Sequence, residues 1–111
     1  MTNKVTTEVL ADEDARQMTA YLVELMTRQI QKLRQYDLEG AMRIAEESQP
    51  LSERIIQAAV LSRPGFEEQR ERIQGLYKEL CLAIVSQRQE VSDKLGQIRT
   101  GLKTLGAYAG K

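Results

Sequence analysis

The chain contains no histidine and no tryptophan, and it has one cysteine, one phenylalanine and two prolines. Without histidine it lacks the commonest general base, the commonest metal ligand and the phosphorylatable residue of helical phosphotransfer domains. Cys81 has no second cysteine for an internal disulfide and no histidine with which to share a metal. Between Leu80 and Leu82 it reads as a small buried hydrophobe rather than a reactive thiol. The glycines fall in turns and towards the C-terminus instead of clustering before a helix, so no phosphate-cradling loop is present and nucleotide binding is not expected.

Charge of one sign is also missing. Sixteen basic residues balance sixteen acidic ones, which leaves no excess positive charge to neutralise phosphates or to coat an anionic membrane. No apolar run, Ala58 to Leu61 included, approaches the roughly 20 residues that span a bilayer. Met1 to Asp14 is polar and acidic, without the cationic and then apolar order of a secretory signal, which points to a cytoplasmic protein. The paired carboxylates Glu46-Glu47 and Glu67-Glu68 point in different directions on a helix and read as solvated faces, not as a metal site. Together these absences argue against an enzyme and imply no cofactor and no metal.

What remains is enough for one helical domain. At 111 residues the chain buries roughly two-thirds of its unfolded surface, and 41% hydrophobic residues with so few aromatics predict an aliphatic core of Leu, Ile, Met and Ala. Residues 1–11 show no sustained periodicity and are expected to form a flexible arm. Asp12-Glu13-Asp14 then suits a helix N-terminus, since carboxylates complement its unpaired N–H groups and positive dipole end. Ala15, Met18, Leu22, Leu25, Met26, Ile30, Leu33 and Tyr36 follow in steps of three or four, one stripe along a helix ending near Gln35.

Asp37 reads as the break and the cap of the next helix, giving a tight helical hairpin. The second helix carries Leu38, Ala41, Met42, Ile44, Ala45, Leu51, Ile55, Ile56, Ala58 and Ala59, and Pro50 is expected to kink or split it near residues 46–49. Arg63-Pro64-Gly65 marks a turn. Beyond it Ile73, Tyr77, Leu80, Ile84, Gln87, Val91, Leu95, Ile98, Leu102 and Leu105 trace a coiled-coil-like seam in the longest helix. Gln87 either meets a partner on a facing helix or faces solvent at a gap in the seam. Met18, Met26 and Met42 are read as core filler rather than a binding groove. Gly101, Gly106 and Gly110 weaken helicity at about 1 kcal/mol each, yet Leu102, Leu105 and Tyr108 keep a spacing of three. Such a segment orders only against an apolar surface, its own helices or a partner's.

The fold expected is therefore all-α: an antiparallel helical bundle of three long helices over residues 12–99, the second kinked at its proline, with a short, mobile C-terminal helical segment over 100–111. Leu22 and Leu25, the run Gln31-Lys32-Leu33-Arg34 and the acidic turn Asp37-Leu38-Glu39 resemble the first half of the FlgN/FliT class of flagellar type III export chaperones. The long helix from Leu80 to Leu95 and the closing Leu102, Leu105, Ala107 and Tyr108 resemble its second half, so that the likeness spans about residues 15–110. Pro50 departs from the family pattern. The resemblance implies a cytosolic chaperone that binds the terminal amphipathic helix of a hook-filament junction or filament-cap protein, prevents its premature assembly and delivers it to the export gate or its ATPase complex.

By that resemblance the partner-binding residues are Val91, Leu95, Ile98, Leu102, Leu105 and Tyr108. Tyr108 is then a contact at the export gate or a substrate groove; without the family it is an aromatic at a frayed end. A protein partner is expected, with no nucleic acid and no membrane insertion. The alternative reading is a homo-oligomeric coiled-coil scaffold or adaptor, at its simplest a homodimer, in which the third helix pairs with its own copy.

Overall fold

The computed structural model describes residues 10–86. They form helix α1 (Asp12–Arg34), helix α2 (Leu38–Gln57), a 3-10 turn (Val60–Ser62) and helix α3 (Glu67–Val85). Among the described residues there is no strand, and the fold is all-α.

Helix α1 starts where the acidic cluster sets it. Ala11 is extended and supplies no side-chain cap, so the first turn relies on Asp12, Glu13 and Asp14 to offset its positive end. The stripe of Ala15, Leu22, Leu25, Met26, Ile30 and Leu33 is buried, and Met18 packs against it. Tyr36 corrects the expected stripe: it lies beyond the helix, 73% exposed, with φ at 61°. The helix closes there instead. Asp37 N–H donates to Lys32 O at 2.8 Å and Tyr36 N–H to Leu33 O at 3.0 Å, the paired bonds of a Schellman ending with Tyr36 at the left-handed position.

Asp37 then caps α2, its Oδ1 accepting from Gly40 N–H at 2.9 Å. Ala41, Ile44 and Ile55 face inward with Ser48 and Ser52, whose hydroxyls donate to the carbonyls of Ala45 and Ser48. The expected split at Pro50 does not occur, because α2 runs unbroken from Leu38 to Gln57. Pro50 and Glu46, the residue whose carbonyl loses its donor, are both exposed, so water can take up the lost bond. The apolar burial of Ile44 before it and Ile55 after it holds both halves in one continuous helix.

Ala59, at φ 54°, ends α2, and the chain turns through Val60 and Leu61, both buried. Three arginines secure this turn. Arg63 donates to the carbonyls of Leu10 (2.6 Å) and Ala58 (3.1 Å) and pairs with Asp12 at 2.9 Å. Arg70 donates to Leu61 O at 2.9 Å, and Arg16 donates to Gly65 O at 3.4 Å. Gly65 adopts φ 90°, which only glycine takes without strain. Phe66 follows, fully buried, so the core is not purely aliphatic. On α3 the seam residues Ile73, Leu80 and Ile84 are buried and Tyr77 packs against the core, as expected, and Leu76 and Ala83, outside the expected seam, are buried as well.

Helix α1 packs against both α2 and α3, while α2 and α3 each approach the Val60–Ser62 turn. Side-chain pairs mark these contacts: Tyr21 with Glu47 across α1 and α2, and Arg34 with Glu79 at 3.1 Å across α1 and α3. Met26 is fully buried and Met18 and Met42 are partly buried against the core, which makes them filler. Among the described residues no helix is long and apolar enough to cross a membrane.

Candidate functional site

A cleft of about 600 Å³ opens between α1 and α2 beside their connection. The wall from α1 carries Arg28, Gln31, Lys32 and Gln35, and the wall from α2 carries Gly40, Arg43, Ile44 and Glu47. Both sets follow steps of three, one and three, which puts each on a single helical face. The reversal of the chain at Gln35–Asp37 sets the two faces against each other. Ile44, only 8% exposed, gives the cleft an apolar floor.

The charges on these walls do not cancel locally. Asp37 is taken up by Gly40 N–H and by Lys32 Nζ at 3.3 Å, and these two contacts, the backbone one first, hold its carboxyl below the ordinary aspartate range. Glu47 accepts the hydroxyl of Tyr21, and that hydrogen bond is the main cause that raises the Tyr21 phenol above its ordinary value. The ion pairs among the described residues are Lys32–Asp37, Arg34–Glu79 and Arg63–Asp12, so Arg28 and Arg43 have no carboxylate partner there. The cleft is thus lined by two exposed guanidinium groups without an ion pair among the described residues, and its three cations, Arg28, Lys32 and Arg43, face two carboxylates, Asp37 and Glu47.

A second hollow of about 310 Å³ lies between α1 and α3, with Ala20 and Val23 on one side and Gln69 and Arg72 on the other. Gln69 Oε1 is buried there without a hydrogen-bond donor. Farther along α3, Leu82 and Val85 are 68% and 69% exposed and, at a spacing of three, share one face. Cys81 beside them is half-buried, less covered than expected. Glu46, Glu47, Glu67 and Glu68 are all exposed, and among the described residues no group of carboxylates or thiols could hold a metal ion.

The residues expected to bind a partner, Val91, Leu95, Ile98, Leu102, Leu105 and Tyr108, lie outside the described residues, as does Gln87. Sequence reasoning did not single out Arg28, Arg43 or Tyr36 as a group. Lys32 and Asp37 drew attention as parts of a family-like run, but their pairing across the end of α1 is visible only in three dimensions. The described residues define an all-helical protein with an open cleft between its first two helices. No family model, no curated protein and no solved structure matches the chain.

Proposed function

We propose that this chain is a cytosolic chaperone of flagellar type III export, of the FlgN/FliT class that its sequence resembles. It holds the terminal amphipathic helix of a late substrate, a hook-filament junction or filament-cap protein, and delivers it to the export gate. The observation that carries this reading is the exposed pair Leu82 and Val85. They leave an apolar face open on α3 just before the stretch that holds Val91, Leu95, Ile98, Leu102, Leu105 and Tyr108. A helix presenting apolar residues every three or four positions can bury its stripe on such a face, and binding of this kind needs no catalytic group. In this reading the three helices form an antiparallel bundle with α1 between its neighbours, and residues 100–111 add a short helical segment that contacts the cargo.

An open apolar face also suits self-association, so a homo-oligomeric scaffold is the competing reading. Light scattering after size exclusion, on the chain alone and mixed with C-terminal segments of junction and cap proteins, separates the two. A stable complex with one of those segments is the expected result. Removal of residues 100–111 is then expected to abolish the complex while the helical circular dichroism of the remainder is kept. A discrete oligomer of the chain alone, with every segment eluting separately, replaces the chaperone reading with the scaffold.

A further inference from the structure

We infer that the cleft between α1 and α2 is a docking site for an acidic segment of a partner protein, with Arg28 and Arg43 pairing to its carboxylates and Tyr36 contacting it at the rim. The inference shares no residue with the Leu82–Val85 face and stands whether or not that face holds export cargo.

Charge is the first argument. Among the described residues Arg28 and Arg43 face the cleft from opposite walls without an ion pair, and with Lys32 they outnumber the two carboxylates of the lining, Asp37, which pairs with Lys32, and Glu47, which accepts the Tyr21 hydroxyl. A planar guanidinium matches a carboxylate with two parallel hydrogen bonds, and two of them on facing walls fix a bound chain from both sides. Shape is the second. Each wall runs through two helical turns, about 10 Å, which fits an extended or helical peptide better than a compact anion. Ile44 on the floor adds an apolar contact for a side chain between the acids. With a net charge of zero and only these two uncommitted cations on the cleft walls, the surface lacks the dense positive field that nucleic acid or an anionic membrane demands.

Tyr36 is the independent argument. It stands between Gln35 and Asp37, both of which line the cleft, and it is 73% exposed. Its φ of 61° lies in the left-handed region, where a glycine would close the helix without the Cβ penalty. An exposed tyrosine held in a left-handed backbone, next in sequence to two residues that line the cleft, brings nothing to the fold that glycine would not improve. Tyrosine and arginine are, however, the residues that carry most binding energy at protein interfaces.

The test uses the full chain and a fluorescein-labelled glutamate-rich peptide with interspersed leucines, with a matched glutamine peptide as control, read by anisotropy. The glutamate peptide is expected to bind, to weaken as salt rises, and to lose about tenfold in affinity in the Arg28→Gln, Arg43→Gln double variant. Tyr36→Gly is expected to weaken binding while raising the melting temperature, a combination that a purely structural role would not produce. Equal binding of the glutamine peptide, unchanged affinity in the double variant, or no binding of the glutamate peptide overturns the inference. So does arginine-dependent binding to phosphatidylserine vesicles in place of the peptide. An oligomer of the chain alone that the double variant dissolves would overturn it in favour of a second copy as the occupant.

Discussion

The guanidinium of Arg16 lies over the face of the Phe66 ring, 4.5 Å from its centroid. Arg16 also reaches Gly65 O, so one side chain from α1 covers the start of α3 and holds the turn before it. Phe66 is among the largest fully buried side chains of the described core. Phe66→Ala is expected to cost about 3–5 kcal/mol in urea unfolding, through lost burial and the cavity left behind. Arg16→Gln should cost less than about 1 kcal/mol, because the cation stays in contact with water. A loss from Phe66→Ala no larger than that from Arg16→Gln would show that the ring is not a core anchor.

Gln29 is fully buried on α1, and neither its Oε1 nor its Nε2 has a hydrogen-bond partner. A buried amide without partners carries its full desolvation cost, whereas a thioether of similar length carries none. Gln29→Met is therefore expected to raise stability by about 1–3 kcal/mol, measured as a higher urea midpoint at unchanged slope. A lower midpoint would mean that the amide does find a partner in solution.

Sequence reasoning reaches local causes and stops at contacts between distant parts of the chain. The helix starts were legible because their causes are local: the Asp12–Asp14 cluster, the Asp37 cap on Gly40 and the Pro64-Gly65 turn each act within a few residues. Phe66 was not singled out because it stands alone just before a periodic segment, and the Arg16 guanidinium that lies over its ring is far away in sequence. Tyr36 continued the spacing of the α1 stripe, but the chain spends that position on closing the helix. Pro50 read as a kink or a split because local cost is visible in sequence, while the compensating burial of Ile44 and Ile55, by which the split is avoided, is not. The basic cleft was hidden by the neutral total charge, since Arg28 and Arg43 become neighbours only when α1 and α2 fold together.

Ala59 ends α2 with φ at 54° and its side chain exposed. Left-handed geometry costs a residue with a Cβ about 1 kcal/mol, and nothing buried would be lost with the methyl group. Ala59→Gly is expected to stabilise the fold by up to about 1 kcal/mol, partly offset by the greater freedom of glycine in the unfolded chain. Ala41→Gly, inside α2 and fully buried, is the control and should destabilise. The opposite order of melting temperatures would contradict the left-handed ending of α2.

Asp37 joins the two helices chemically, accepting Gly40 N–H at the start of α2 and Lys32 Nζ from the last turn of α1. Both contacts favour the charged carboxylate, the Gly40 bond most, so its folded-state pKa lies below the ordinary value. A lowered pKa contributes stability that is fully present above the ordinary aspartate range and is lost as pH falls through the folded value. The melting temperature should therefore fall on the acid side more steeply in the unaltered chain than in Asp37→Asn, which keeps a capping oxygen but has no proton to gain. Gly40→Ala tests the same cap sterically, because a Cβ there would stand 2.5 Å from Asp37 Oδ2. That substitution should lower stability even though alanine is the better helix former, and it should flatten the acid limb as Asp37→Asn does. Parallel acid limbs in all three proteins would remove Asp37 as the group that titrates.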